Sequence, residues 1–276
     1  MLRFALAANM YKPEAPELIK EAVKLLTENG DKVKIPSSYG SYTGADKTED
    51  GESLYKDIDF LVVFGGDGTL IDRAKKAAAY NVPVIGVNLG RVGYLSSLEK
   101  DELDKLLLLN KGEFKTVKRT MLSVTANGRE YTALNDAVFA EARASRMVNT
   151  EITVDGEKTV GYASTALIIC TPTGSSGFNL SAGGPAVEAS APCLIMTPVC
   201  PHTTSPRSFV FDDNTVFGVK NVSTPDKTVY LTLDGAEDVP IPRNGDVLVR
   251  KSELTAQTVI FGKEGFASKI LKRIGK

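Results

Sequence analysis

Residues 60 to 69 read Phe-Leu-Val-Val-Phe-Gly-Gly-Asp-Gly-Thr, an apolar run that stops at three glycines placed around one aspartate. The β-branched and aromatic content of residues 60–64 predicts a buried strand. Gly65, Gly66 and Gly68 lack a Cβ, so the backbone there can turn sharply and approach a ligand closely. Thr69 is placed to cap a helix over 70–80, with Asp72 three residues on in capping-box spacing. A glycine loop opening a helix offers free N–H groups to anions, phosphate above all. Asp67 is the anomaly, because a carboxylate repels phosphate unless it holds a cation or takes a proton from a nucleophile. Phosphoryl transfer accounts for it better than phosphate storage. A tight strand-to-helix turn with a structural aspartate is the alternative, and the loop alone leaves it open.

The rhythm around this loop predicts an α/β domain. A strand over 2–8, a helix from Pro16 to Gly30, the strand 60–64, the helix 70–80, a strand over 82–87 and a helix near 101–109 alternate along the first hundred residues. That order implies a parallel sheet with helices on its faces, and ligands bind at the carboxyl ends of such strands. Asn9-Met-Tyr-Lys12, the glycine loop and Asn88-Leu-Gly-Arg-Val-Gly93 all fall there. Residues 36–57 are polar and without period, and read as either a lid or a disordered insertion.

Beyond residue 115 the spacing changes to short strands (121–126, 131–139, 151–154, 166–170, 229–233) separated by turn signals such as Asn127-Gly128, Asp155-Gly156 and Asp234-Gly235. This predicts an all-β second domain. Phe266, Ile270, Leu271 and Ile274 recur at helical spacing, so a terminal amphipathic helix is expected to pack back on one of the domains. The domains are then 1–112 with 256–276, and 113–255.

Composition narrows the function classes. Lys and Arg total 33 against 34 Asp and Glu, for a formal charge of -1 over 276 residues. That balance offers no general attraction to nucleic acid or an anionic membrane. The apolar run 1–8 is too short, and turns polar too quickly at Asn9, Lys12 and Glu14, for a secretory leader, and no apolar run approaches a membrane span. Cys170, Cys193 and Cys200 lack metal-ligand spacing and sit in apolar segments, so buried free thiols in a reducing cytoplasm are expected. His202 is the single histidine, which gives little support to a histidine metal site or a Ser-His-Asp triad, and it reads as structural.

Two polar constellations interrupt the apolar second half. Asn135 and Asp136 break the run 131–139; buried amide and carboxylate groups need partners, which ribose hydroxyls and a base edge would supply. A bulge bonding its own backbone is the alternative. The second is Thr171-Pro-Thr-Gly-Ser-Ser-Gly-Phe-Asn-Leu-Ser-Ala-Gly-Gly-Pro185, whose hydroxyls, glycines and Phe178 suit a polar ligand with a flat ring. A Ser/Gly-rich connecting loop looks similar.

Taken in order, Gly65-Gly-Asp-Gly-Thr69, Asn88-Leu-Gly-Arg-Val-Gly-Tyr-Leu95, Leu134-Asn-Asp136, Thr171-Pro-Thr-Gly-Ser175, Ser181-Ala-Gly-Gly-Pro185 and Thr197-Pro-Val-Cys-Pro-His202 resemble the NAD kinase family. The first motif is shared with diacylglycerol and sphingosine kinases, whereas the ordered set is specific. The resemblance implies a Rossmann-like N-terminal α/β domain, a C-terminal β-sandwich domain, and a terminal helix returning to the first. It implies transfer of the ATP γ-phosphoryl, or one from inorganic polyphosphate, to the 2′-hydroxyl of the adenosine ribose of NAD, with Mg²⁺ or another divalent cation. Homo-oligomers, often tetramers, are usual in the family.

Carried over by position, Asp67 is similar to the family's proton acceptor, and Gly66 and Gly68 flank it. Asn135 and Asp136 match the pair that holds adenine and ribose. Arg146, Thr165, Thr173, Ser176, Gly177, Phe178, Asn179 and Ser181 fall at further dinucleotide-binding positions. Three departures stand out. The usual pair is Asn-Glu, so Asp136 is one methylene shorter. Ser176-Gly-Phe178 replaces a common Thr-Ala-Tyr, and Thr165-Ala166 stands where relatives usually carry Asp-Gly. A catalytically silent dinucleotide sensor and a lipid kinase are the competing readings.

Overall fold

Two compact units make up the chain, Met1–Lys118 with Ala256–Lys276, and Arg119–Thr255. The structure is a computed structural model that describes all residues except 91–92, 144–145, 204–206, 263–264, 266–267, 269 and 272–276.

The first unit contains β1 (Arg3–Ala8), α1 (Ala15–Glu28), β2 (Lys32–Pro36), β3 (Ala45–Thr48), β4 (Phe60–Gly65), α2 (Asp67–Ala78), β5 (Val84–Asn88) and β6 (Leu98–Glu99). The strands pair in parallel in the order β3-β2-β1-β4-β5, with β6 on β5. Phe4, Leu6, Phe60, Val62, Phe64, Ile85 and Val87 pack on Ile19, Ala22, Val23 and Leu26 of α1 and on Leu103, Leu106 and Leu109. The alternating residues Ala5, Ala7, Leu61, Val63 and Val84 are buried as well. Burial on both faces is what a parallel sheet requires, and each full-sized apolar side chain contributes roughly 1.5–3 kcal/mol. α1 begins beside Pro16 and ends at Asn29, where Gly30 turns the chain at φ 85°.

Several expectations are corrected in this unit. α2 starts three residues before the expected position, because Gly66 at φ −92° and ψ −179° is the extended residue preceding the helix, and no side chain caps it. Thr69 is therefore inside the helix, where its side chain fills the space beside Gly65; a Cβ on Gly65 would lie 2.7 Å from Thr69 Cβ. The segment expected as a helix near 101–109 is a 3₁₀ helix over Leu103–Lys111. Residues 36–57 are not a disordered insertion, since they fold into β3 and short 3₁₀ turns at Ser37–Tyr39 and Glu52–Leu54. Polar anchors replace the missing apolar pattern there. The Tyr39 hydroxyl donates to the Ala8 carbonyl at 2.9 Å and accepts the Ala8 N–H at 2.8 Å. Lys34 Nζ donates to the carbonyls of Ser53 and Lys56, and Arg73 of α2 pairs with Asp50 at 2.8 Å. Of the expected terminal helix, Ser268, Ile270 and Leu271 are helical and Ile270 is buried, while Phe266 and Ile274 lie outside the described residues.

The second unit is a sandwich built from β7 (Lys115–Ala126), β8 (Arg129–Ala133), β9 (Asp136–Glu141), β10 (Val148–Val154), β11 (Glu157–Ser164), β12 (Ala166–Cys170), the short α3 (Phe178–Ser181), β13 (Cys193–Val199), β14 (Phe209–Asp212), β15 (Phe217–Asn221), β16 (Val229–Leu233), β17 (Glu237–Ile241) and β18 (Asp246–Ile260). One antiparallel sheet runs β14-β13-β12-β9-β16-β17. Facing it are the ladder β11-β10-β15-β18 and the β7–β8 hairpin. Phe139, Leu167, Ile169, Leu194, Met196 and Leu231 of the first sheet share a core with Leu122, Val124, Ile152, Phe217, Val219 and Val249 of the second. Asn127-Gly128, Asp155-Gly156 and Asp234-Gly235 all sit at positive φ, as two-residue hairpin turns demand.

The expected strand 131–139 is two strands in different sheets. β8 pairs with β7, and β9 pairs with β12 and β16, with Leu134 and Asn135 making the crossing. β12 is buried on both faces, because Ala182, Val187 and Ala191 of the loop that follows cover Ile168 and Cys170. Cys170 and Cys193 are buried free thiols as expected, but Cys200 is exposed, since the chain leaves β13 there at φ 44°.

Candidate functional site

In the first unit, register places the acidic loop. Ala8 pairs with Phe64 and Gly65 with Asn88, so the segments after β1, β4 and β5 emerge side by side. They are stitched through backbone: Asn9 N–H donates to the Phe64 carbonyl at 2.9 Å and Leu89 N–H to the Gly65 carbonyl at 3.0 Å. The Asn88 amide ties its own loop by donating to the Glu99 carboxylate at 3.2 and 3.3 Å and accepting the Gly90 N–H at 2.9 Å.

Asp67, half-buried at the first turn of α2, faces this loop. Its Oδ1 accepts the N–H groups of Tyr94 at 3.0 Å and Leu95 at 3.1 Å, and its Oδ2 lies 3.2 Å from the Tyr94 nitrogen. Two charge-assisted bonds from backbone N–H groups fix the direction of the carboxylate. Neighbouring Gly66 is half-buried and Gly68 is exposed, with no atom within 4 Å of an added Cβ at either. A helix start of this kind suits a phosphate, and the held carboxylate suits a hydroxyl proton.

A second cleft of this unit, about 470 Å³, lies around Arg73, Asp50, Tyr55 and Tyr80. The Arg73 hydrogen bond holds the Asp50 carboxyl below the usual carboxylate range. The two tyrosine rings stack at 5.6 Å.

In the second unit a cleft of about 420 Å³ is lined by Asn135, Asp136, Val138, Phe178, Thr232, Asp234 and Gly235. Asn135 Oδ1 is buried without a hydrogen-bond partner, which costs free energy and marks it as an acceptor awaiting a donor. Asp136 is 6% exposed, and its carboxyl is pushed up to about 7, first by burial and then by the neighbouring Asp234 charge. Phe178 is 45% exposed at the wall of the cleft. A ring held half in water offers a stacking face to a flat ligand.

The loop after β12 is fastened to this corner. Thr171 Oγ1 donates to the Leu134 carbonyl at 2.6 Å, and Thr171 N–H donates to the Asn135 carbonyl at 2.9 Å. Gly174 crosses the Asn135 backbone so closely that a Cβ would lie 2.8 Å from Asn135 Cα. Ser176 Oγ donates to the Thr173 carbonyl at 3.2 Å, Asn179 Nδ2 donates to the carbonyls of Ser175 and Pro185, and Asn179 Oδ1 accepts from Thr197. Thr173 Oγ1 accepts from Arg119 at 3.3 Å.

Of the residues singled out in the sequence for this unit, Asn135, Asp136 and Phe178 come together on the cleft. Thr173, Ser176, Gly177 and Asn179 build the loop beneath Phe178, and Ser181 is exposed at the end of α3. Arg146 pairs with Asp226 at 3.0 Å, and half-buried Thr165 donates its N–H to the Val199 carbonyl. The backbone N–H of His202 donates to the Ala163 carbonyl at 2.8 Å. Asp234, Thr232 and Val138 also line the cleft, and the sequence motifs do not mark them as site residues. In sequence Asp234-Gly235 signals only a turn, and alternation in β9 and β16 is the available signal for the other two. Among the described residues, no group of three or more His, Cys, Asp and Glu side chains is arranged to hold a metal, and no helix is long and apolar enough to cross a membrane.

Comparison with known proteins accounts for both units. The ATP-NAD kinase N-terminal domain matches residues 4–113, and the ATP-NAD kinase C-terminal domain matches residues 134–261. The NAD kinase of Symbiobacterium thermophilum is 35% identical over 94% of this chain and 94% of its own length. That of Syntrophotalea carbinolica is 34% identical over 92% and 91%. The fold is that of yeast NADH kinase complexed with NADH, with a TM-score of 0.89 at 21% identity over all of this chain and 88% of that one. An NAD kinase from Archaeoglobus fulgidus in complex with ATP gives 0.75 at 24% identity over 99% and 98%. With both family domains matched in order, and relatives above 30% identity along nearly the full length, the chain belongs to the NAD kinase family.

Proposed function

We propose that this chain transfers the γ-phosphoryl group of ATP to the 2′-hydroxyl of the adenosine ribose of NAD, giving NADP, with Asp67 as proton acceptor. The observation that carries this reading is a carboxylate fixed by two backbone N–H groups at the opening of a helix between glycines. The Asn135–Asp136 cleft binds the dinucleotide. Asn135 Oδ1 receives the donor it lacks, and Phe178 offers its face to a base. Arg146, Thr165, Thr173, Ser176, Gly177, Asn179 and Ser181 support that binding through the loops they build.

A free carboxylate with a pKa of about 4 is too weak a base to ionise a sugar alcohol beforehand. It need not do so. In a loose transition state the alcohol proton leaves late, so the carboxylate mainly aims the attacking oxygen and accepts the proton as the new P–O bond forms. The N–H groups of Gly66 and Gly68 at the helix start stabilise charge on the transferring group. The donor enters as its Mg²⁺ complex, because the described side chains offer no cage of carboxylates to hold a resident ion. Inorganic polyphosphate is a second donor in this scheme. Free thiols at Cys170, Cys193 and Cys200 suit a cytoplasmic setting, and we infer a homo-oligomer from the family.

The test incubates purified protein with Mg²⁺, NAD and either ATP or polyphosphate, and measures NADP. NADP formation is expected. Asp67→Asn keeps a side-chain oxygen for Tyr94 and Leu95, so it should bind NAD yet lose turnover by at least about a hundredfold. Near-normal turnover in that variant would remove Asp67 from the chemistry. Stabilisation by NADP without NADP formation would make the chain a dinucleotide sensor.

A further inference from the structure

Asp234 opens a two-residue hairpin turn, with φ of 51° at Asp234 and 66° at Gly235. Asp-Gly is favoured there for backbone reasons alone, and a turn aspartate ordinarily bonds its own backbone two residues on. Asp234 instead reaches a segment about a hundred residues earlier. Its Oδ2 accepts the Leu134 N–H at 3.0 Å, while its Oδ1 accepts the N–H of Asn135 at 2.7 Å and of Asp136 at 3.2 Å. Its own N–H donates to the Asp136 carbonyl at 3.1 Å. The chain crosses between sheets at this point, so Leu134 and Asn135 belong to neither ladder and their donors need another acceptor.

We propose that Asp234 is the positioning residue of the dinucleotide cleft: its carboxylate clamps the 134–136 corner that presents Asn135 and Asp136, and its charge acts directly on Asp136. The inference deepens the NAD kinase reading and rests on it for the identity of the ligand. It explains how a corner with a buried, unpartnered Asn135 Oδ1 keeps one geometry. The side chain that would wander is attached to a backbone pinned at three consecutive nitrogens.

The charge has a separate consequence. Asp136 is faced by Asp234 from the hairpin, and from β12 by Cys170, whose thiol burial holds neutral. From β16 come Thr232 and Leu233, which do not titrate. Burial and Asp234 together bring Asp136 to about 7, so its carboxyl passes between hydrogen-bond donor and acceptor near neutrality. Removing the Asp234 charge while leaving an oxygen in its place moves that passage to lower pH.

Asp234→Asn does this. NAD binding is measured by titration calorimetry on both sides of neutral pH, beside kcat and KM for NAD. The variant should raise KM about tenfold while kcat falls less than about threefold, as expected for lost ground-state binding. The midpoint of the pH dependence of NAD binding should drop by about one unit. Asp234→Glu, which keeps the charge on a longer arm, should raise KM yet hold the midpoint, and it carries the test if the asparagine variant fails to fold. A midpoint unmoved in Asp234→Asn, with binding weakened equally at every pH, would reduce Asp234 to architecture and overturn the proposal. Wild-type KM in both variants would do the same. Wild-type protein that bound no NAD would overturn the NAD kinase reading and this inference with it; normal wild-type binding with indifferent variants would overturn this inference alone.

Discussion

Asp136→Asn should make the free protein's stability respond less to pH, in a direction fixed by the site. The Asp136 carboxyl is raised from 3.8 to about 7 by burial and by Asp234. Below 3.8 it is protonated in both folded and unfolded chains and exerts no differential effect. Between the two values the folded protein keeps a proton that the unfolded chain releases, so stability falls as pH rises. Above about 7 both states are ionised, and the full penalty of a buried charge beside another charge remains. A shift of this size, about three pKa units at about 1.4 kcal/mol each, destabilises the native state by on the order of 4 kcal/mol at alkaline pH. Asparagine keeps the shape and does not titrate. Urea unfolding of wild type and variant is followed by tyrosine fluorescence, since the chain has 9 tyrosines and no tryptophan. From about pH 5 to about pH 8 the variant should gain roughly 2–3 kcal/mol relative to wild type. An unchanged stability difference across that range would refute a protonated Asp136 in the folded protein, and a difference of opposite sign would mean that its ionised form is the one the fold holds.

Gly174→Ala forces a Cβ against the Asn135 backbone, so it should cost about 1–3 kcal/mol in thermal or urea unfolding and weaken NAD binding in the same protein. Phe178→Ala removes a side chain that is 45% exposed. Its stability should change little, while KM for NAD rises by about five- to a hundredfold if a base stacks on the ring. Chelation of divalent cations should abolish NADP formation from ATP and leave calorimetric NAD binding in place; loss of NAD binding on chelation would show that the cation does not enter with the donor.

Local chemistry made much of the fold legible. β4, β12 and β16 carry apolar runs of strand length, and the three Asn-Gly or Asp-Gly turns announce themselves because few other pairs tolerate two positive φ values. β2 and β3 were hidden in a polar stretch, where Tyr39, Lys34 and Arg73 supply the anchoring that apolar side chains supply elsewhere. The break at Leu134 and Asn135 was legible as polarity but not as a change of sheet, since the sheet a strand joins depends on partners far along the chain. Thr69 illustrates a local signal overruled: its capping position is sound by spacing, yet the tight glycine turn starts the helix earlier and Thr69 packs on Gly65 instead.

The groups that orient the acidic residues leave the faintest trace in sequence because they are backbone amides. Asp67 is aimed by the N–H groups of Tyr94 and Leu95, and the corner at Asn135 and Asp136 is held by its own N–H groups on Asp234. Any residue but proline brings such a donor, so residue type records only what lets the backbones approach. That record is glycine. Gly174 lies against Asn135, and Gly90 against Gly66 and Asn88, each where a Cβ would enter contact distance. The glycine pattern of the two loops is thus read as a set of distances between chain segments.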